Sequence, residues 1–339
     1  MKACIVGAGA VGGIIGTRLA VSGAAVSALA RGETLRALQT DGWRLKQGGT
    51  LLTKPVAAVA SDARTLGPQD LVVIAVKATS MSSVAEAIPP LLGPDTIVLP
   101  AMNGVPWWFS QGLAGIGPEP LDSVDPGGAI ARAIPLRHVV GCVVHLSAAT
   151  ESPGVVVHKN GLGLIIGEPD GSSSPRLAAV HDVLATAGFD TTLTLRIRHE
   201  LWYKLWGNLT MNPVSALTGA TGDRMLDDPL VRNFCSAAML EASAIGARIG
   251  CAIDQDPEAR HAVTRELGAF KTSMLLDAER GRPIELDAIV TVVHELGRQT
   301  GVATPNIDAL LGLTRLFAQS RGLYPAGNSS SLLAPSTGP

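Results

Sequence analysis

The stretch that most constrains the fold lies at the start of the chain. Residues 2–6 form a short apolar run that ends directly in Gly7-Ala8-Gly9-Ala10-Val11-Gly12, and an apolar helical pattern continues over 14–21. A strand, a GxGxxG turn and a helix in that order mark the opening of a doubly wound α/β sheet, a context that turns a weak motif into a useful one. Gly7 permits the tight turn, Gly9 lets a pyrophosphate approach the backbone, and Gly12 lets helix and strand pack closely. The unpaired N–H groups at the helix start, with the positive end of its dipole, suit phosphates. A glycine-rich turn that holds nothing is the bland alternative.

Further α/β units come next. The second strand spans 25–30 and ends at Arg31. An acidic residue there would hold a ribose 2′-hydroxyl, whereas a guanidinium pairs with a 2′-phosphate, so Arg31 favours NADP(H), with Glu33 as the rival reading. Residues 43–45 and 51–59 look like a strand pair. The unbroken apolar run 70–76 reads as a buried parallel strand that ends at Lys77, with a helix from about Ser80. The next strand, 96–99, leads into Pro100-Ala-Met-Asn103-Gly104. Ligands in open α/β sheets lie beyond the carboxyl ends of the strands, which makes Lys77 and Asn103 candidate binding residues. Ordinary loop chemistry is the alternative, Asn-Gly being a common turn signal.

Residues 105–135 break the pattern. Trp107, Trp108 and Phe109 bring three aromatics into a chain with few, and a Pro/Gly-rich insertion comes after them. The cluster could cover a nicotinamide or an apolar substrate tail, or serve as a local staple or a dimer contact. Strands resume at 139–146, 154–159, 163–166 and 191–195, with a helix at 177–187. From there the pattern is helical, over 198–218, 229–250, 257–281, 285–301 and 305–319. We therefore expect α/β architecture: an N-terminal Rossmann-type dinucleotide-binding domain (1–196) followed by an all-helical domain (197–321) for substrate and dimerisation, and a flexible tail over 322–339.

Within the first of these helices, Lys204, Asn208 and Asn212 stand four residues apart, a spacing that lines them along one narrow stripe. An ammonium and two carboxamides aimed together from a mostly apolar helix suit an oxygen-rich small molecule. A solvated polar face is the alternative. Pro213 removes an N–H and predicts a kink or break beside Asn212.

Composition narrows the classes. With 46% apolar and 17% charged residues and a net charge of −2, nothing points to disorder, nucleic acid or an anionic membrane surface. The four cysteines form no CxxC pair and read as small core residues in a reducing compartment; the seven histidines include no HExxH, so no metal site is expected. The N-terminal run superficially resembles a signal peptide, but its glycines and Arg18 argue against one, and the expected location is cytoplasmic.

Four blocks taken in order carry a resemblance: Gly7-Ala-Gly-Ala-Val-Gly12; Met102-Asn103-Gly104; Lys204, Asn208 and Asn212-Pro213; and Lys271-Thr-Ser273 with Arg280-Gly-Arg-Pro-Ile-Glu285. Together they resemble the ketopantoate reductase family (2-dehydropantoate 2-reductase) over nearly the whole chain, the 105–135 insertion and the tail excepted. The resemblance implies NADPH-dependent reduction of ketopantoate to pantoate in pantothenate biosynthesis, at a site in the cleft between the domains. It implies that Lys204 is the general acid, that Glu285 orients substrate and lysine, and that Asn103, Asn208, Asn212 and Ser273 bind substrate. Gly7, Ala8, Gly9, Ala10, Val11, Gly12, Arg31, Lys77 and Asn103 would hold the cofactor. Carbonyl reduction builds negative charge on oxygen, which a positioned ammonium stabilises and then protonates. Phe270 and Gly222 stand where the family often has asparagines. This points to an alternative substrate, a more apolar 2-oxo acid, and the rival from another class is a non-catalytic NADPH sensor. The apolar helical half makes a homodimer the expected assembly.

Overall fold

A computed structural model describes residues 1–113 and 115–326. The chain divides into two compact units, Met1–Phe109 with Gly127–Leu201, and Ser110–Pro126 with the residues from Trp202 onward. The first unit contains, in order, β1 (Lys2–Val6), α1 (Ala10–Val21), β2 (Ala25–Leu29), α2 (Gly32–Asp41), β3 (Trp43–Gln47), β4 (Thr50–Lys54), β5 (Val59–Ala60), β6 (Gln69–Ile74), α3 (Met81–Ala87), β7 (Leu92–Pro100), α4 (Ala129–Ala133), β8 (Gly141–Ser152), β9 (Val155–Gly167), α5 (Pro175–Thr186) and β10 (Asp190–Leu193).

Among the described residues, β5-β2-β1-β6-β7 make one parallel sheet. Its central strands are buried on both faces, which is why Cys4-Ile5 and Leu71-Val-Val-Ile74 are unbroken apolar runs with no exposed surface. A second, mixed sheet in the order β10-β9-β3-β4, with β8 antiparallel to β9, was not foreseen. The expected 43–45/51–59 pair is real as β3 and β4, but it belongs to this second sheet. The 51–59 run divides at Pro55, which has no N–H for a ladder; β5 then joins β2 at the edge of the parallel sheet. The runs 154–159 and 163–166 are one strand, β9, which passes through a register shift beside Gly161 (φ 68°).

Helix α1 lies between the two sheets, and glycines make this possible. A Cβ at Gly12 would stand 2.1 Å from the Gly7 carbonyl oxygen and 2.9 Å from Ile5 Cγ2, on the side of the parallel sheet. On the other side, a Cβ at Gly13 would stand 2.3 Å from Val156 Cγ2, and one at Gly16 2.6 Å from the Trp43 ring.

The aromatic cluster is core. Trp107, Trp108 and Phe109 are buried; Trp107 Nε1 donates to the Ile134 carbonyl, and the Arg198 guanidinium stacks on Trp108. Of the readings left open for this cluster, packing within the first unit is the one realised. The insertion that comes after it is tied down rather than loose. Within the second unit, the Glu295 carboxylate accepts the Asp122 and Ser123 N–H groups and the Ser123 hydroxyl.

The rest of the second unit is helical: α6 (Ile197–Thr218, which begins in the first unit), α7 (Gly222–Asp227), α8 (Pro229–Arg248), α9 (Pro257–Arg265), α10 (Ser273–Glu279), a π-helical turn (Asp287–Thr291), α11 (Val292–Thr300) and α12 (Pro305–Ser320). The single helix expected over 257–281 is two. Gly268 (φ 65°) interrupts it, and Thr272, in extended conformation, accepts the Leu275 N–H to start a new one. Short α7 was not foreseen. Pro213 does not break α6: the helix runs on to Thr218, where buried Met211, Val214 and Ala216 supply packing that outweighs one missing N–H. The flexible tail does not begin at Gly322, because Leu323 is buried and Tyr324 is hydrogen-bonded; 327–339 lie outside the described residues. No helix among the described residues is long and apolar enough to cross a membrane.

The contact of α1 with β3 has a measurable consequence. Gly16→Val should overpack the helix against Trp43 and lower unfolding free energy by about 1–3 kcal/mol, read as a lower midpoint in urea with the slope unchanged.

Candidate active site

The glycine loop after β1 is set by its backbone. Gly7 ends β1 with φ 92°, and a Cβ there would meet Val76 Cγ1 at 2.5 Å, so the turn needs glycine. Gly9 is different: a Cβ on it would meet nothing within 4 Å, which leaves open space over the backbone. Gly9 is also the N-cap of α1, makes no side-chain cap, and is followed by a first turn without acidic residues. The first N–H groups of α1 therefore remain available to an anion.

A cavity of about 330 Å³ opens here, lined by Gly7, Ala8, Gly9, Leu29, Ala30, Arg31, Thr34, Val76, Ser80 and Ser83 among others. It brings Gly7, Ala8, Gly9 and Arg31 together. Ala10, Val11 and Gly12 belong to the first turn of α1 but do not line this cavity, and Gly12 acts through close packing. Lys77 follows Val76 and is half-buried; Asn103 lies beyond the end of β7, also half-buried. Sequence reasoning missed Thr34, Ser80 and Ser83. Thr34 could have been found, since it stands one helical turn beyond Arg31 in α2; the serines carry no such signal.

In the second unit, Lys204, Asn208 and Asn212 all lie on α6, Lys204 and Asn208 half-buried and Asn212 buried. The other sides of the helix are fastened. Trp206 Nε1 donates to the Met239 carbonyl of α8, the Tyr203 hydroxyl donates to Gln255 Oε1, and the Arg260 guanidinium lies over the Tyr203 ring. Such anchoring fixes the rotation of the helix about its axis and with it the direction of the stripe.

Ser273 is joined to the far end of the stripe through hydroxyls. Ser215 Oγ donates to the Asn212 carbonyl at 2.9 Å and lies 2.6 Å from Thr272 Oγ1. Ser215 has one proton, already given to Asn212, so Thr272 is the donor in the second bond. Thr272 also caps α10, whose first residue is Ser273, itself exposed. Glu285 lies just past α10 and is buried at 9% exposure.

A glycine loop that opens an uncapped helix at the carboxyl end of a parallel sheet defines a dinucleotide-binding α/β protein. Comparison with known proteins narrows the class. Residues 3–171 match the family model described as Ketopantoate reductase PanE/ApbA, and residues 196–318 that described as Ketopantoate reductase PanE/ApbA C terminal. The chain belongs to the ketopantoate reductase family. It is 43% identical over 326 residues to a 2-dehydropantoate 2-reductase of Mesorhizobium japonicum, covering 96% of this chain and 100% of that protein. With a 2-dehydropantoate 2-reductase of Halobacterium salinarum it shares 29% identity over 322 residues, covering 93% of this chain and 98% of that protein. Among solved structures, a candidate ketopantoate reductase from Ralstonia solanacearum MolK2 superposes with a TM-score of 0.91 at 57% identity, covering 95% of this chain and 99% of that one.

Gly222 and Phe270, the two departures from the expected asparagines, touch each other. A Cβ at Gly222 would stand 2.1 Å from Phe270 Cε1, and the Gly222 N–H donates to the Phe270 carbonyl. The Phe270 ring packs against the apolar cluster of Met211, Val214, Met225 and Leu226. The pair is one packing unit. Gly222→Ala should therefore destabilise by about 1–3 kcal/mol, while Phe270→Ala in the same chain relieves the clash; thermal melts of the two singles and the double should give a coupling of at least about 0.5 kcal/mol.

Proposed function

We propose that the protein reduces 2-dehydropantoate to pantoate with NADPH, as a step of pantothenate biosynthesis. The observation that carries this reading is the Lys204–Asn208–Asn212 stripe on a helix fastened along its other sides, in a chain of this family. The open backbone at Gly9, the uncapped start of α1 and Arg31 on the same cavity suit a dinucleotide with a 2′-phosphate. When bound, that cofactor supplies the hydride taken up by the ketone carbon.

The chain's own residues do the remainder. Lys204 Nζ holds a proton for the ketone oxygen, and its charge favours the negative charge that builds there. Asn103, Asn208, Asn212 and the Ser273 hydroxyl are neutral hydrogen-bonding groups, able to grip a substrate without discharging the lysine. Glu285 is assigned to orient substrate and lysine. Arg31 takes the 2′-phosphate and Lys77 a further anionic part of the dinucleotide. Four buried cysteines, none of them in a disulfide, suit a reducing compartment, and we assign the enzyme to the cytoplasm.

The Gly222–Phe270 pair favours a second reading on the same chemistry, a 2-oxo acid less polar than ketopantoate, because two carboxamides are missing. We also infer a homodimer. Leu313 and Leu316, one turn apart on α12, and Leu240 on the α8 helix packed against it are exposed leucines that a second copy could cover.

Two measurements test these proposals. NADPH oxidation, followed by absorbance with ketopantoate, should fall by about 10²-fold or more in kcat for Lys204→Ala, and Arg31→Ala should erase the preference over NADH. An unimpaired Lys204→Ala enzyme would sink the mechanism. Turnover of apolar 2-oxo acids but not ketopantoate would favour the second reading, and NADPH binding with no turnover of any 2-oxo acid would favour the sensor. Light scattering of the purified protein should give twice the chain mass, and Leu313→Glu with Leu316→Glu should reduce it to one.

A further inference from the structure

The chain after α12 returns to the turn that carries Glu285. Gly322 (φ 68°) reverses the chain, and the Leu323 N–H donates to the Ala318 carbonyl. The Leu323 carbonyl then accepts the Ile284 N–H at 3.1 Å, and the Leu323 side chain is buried. One residue further on, the Tyr324 hydroxyl donates to Asp287 Oδ1 at 2.6 Å, and the same oxygen accepts the Thr291 hydroxyl at 2.9 Å. These contacts bracket residues 284–287, one at the first residue and one at the last. Glu285 lies between them.

Local backbone preference does not by itself hold the Asp287 end of this segment. Beyond Leu286 the chain winds as a π-helix over Asp287–Thr291, a geometry rare enough that surrounding contacts must sustain it. Ile284 and Leu286, on either side of Glu285, have no exposed surface, so packing is one constraint on the turn, and a second acts through directed bonds. The hydrogen bonds to Leu323 and Tyr324 supply that second constraint. Burial pushes the Asp287 carboxyl up and, with the Asp287 contact, the Tyr324 phenol up as well, as befits a desolvated pair sharing a short bond.

We propose that the Tyr324–Asp287 hydrogen bond, together with the Leu323–Ile284 backbone bond, is a latch that positions Glu285. Tyr324 and Asp287 are positioning residues: they touch neither substrate nor cofactor in this assignment and act through the carboxylate between them. The inference rests on the reading of Glu285 as an active-site group.

The test is a kinetic cycle on the full chain with NADPH and ketopantoate, or with whichever 2-oxo acid the enzyme turns over. Tyr324→Phe keeps the ring and removes the donor. It should lower kcat by about tenfold with the dissociation constant for NADPH unchanged, since small displacements of a reacting constellation are costly. Asp287→Asn keeps an acceptor oxygen for Tyr324 and should retain most of kcat, whereas Asp287→Leu should not. In a Glu285→Gln background, Tyr324→Phe should cost little more, because the group it positions is already gone. A Tyr324→Phe enzyme with a lower melting temperature and unchanged kcat would show a contact that serves stability alone and would overturn the latch. Equal losses from Tyr324→Phe with and without Glu285 would overturn it too. An unimpaired Glu285→Gln enzyme would instead remove the assignment on which the proposal stands.

Discussion

Everything in the first unit depends on how closely α1 can approach the strands on either side of it. A helix of ordinary composition stands off a sheet by the length of its side chains. Here Gly12 meets the parallel sheet while Gly13 and Gly16 meet Val156 and Trp43 of the second sheet, at separations that admit no Cβ. The helix is thereby held rigidly on two sides, and its N-terminus is presented uncapped at the end of β1. An anion site made of backbone N–H groups owes its strength to being pre-aimed. The glycines supply both the aim, through packing, and the open space over Gly9.

A comparable economy operates in the second unit. Lys204, Asn208 and Asn212 share a stripe because of helical periodicity, but a stripe is useful only if the helix cannot roll. Trp206, Tyr203 and Arg260 prevent that from the sides, and the Ser215–Thr272 hydroxyl pair ties the Asn212 end to the start of α10. The contacts are modest singly, each net hydrogen bond contributing on the order of 1 kcal/mol. Their effect lies in geometry more than in stability, since they act on different sides of one rigid rod.

Much of this was legible in the chain. Unbroken apolar runs identified β1 and β6, and residues just past β1, β2 and β6 (Gly7, Arg31 and Val76 among them) do line one cavity. The misreadings have physical causes. For Trp107, Trp108 and Phe109 several readings stayed open rather than one, because they precede a Pro/Gly-rich stretch; local packing is the one realised, since aromatic side chains bury wherever a core admits them. Gly322 looked like the start of a loose tail because local composition carries no record of the distant Asp287 and Ile284 that bind the next two residues. Gly222 and Phe270 each read as a lost polar group; that the two occupy each other's space could not be read, because they stand far apart in the chain.

Rules that act over a few residues were enough for part of this structure, and that part was determined by the sequence alone. It comprises the glycine turn with its helix, the run of parallel strands, the four-residue spacing of Lys204, Asn208 and Asn212, and the change to an all-helical second half. Only the tertiary structure decided that β3, β4, β8, β9 and β10 form a sheet of their own, and that α1 is enclosed between it and the parallel sheet. It alone decided that α6 runs through Pro213, and that the end of the described chain closes on the turn beside Glu285. The reason is the same in each case: such choices are set by which distant surfaces can exclude water together, and no window of neighbouring residues contains that information.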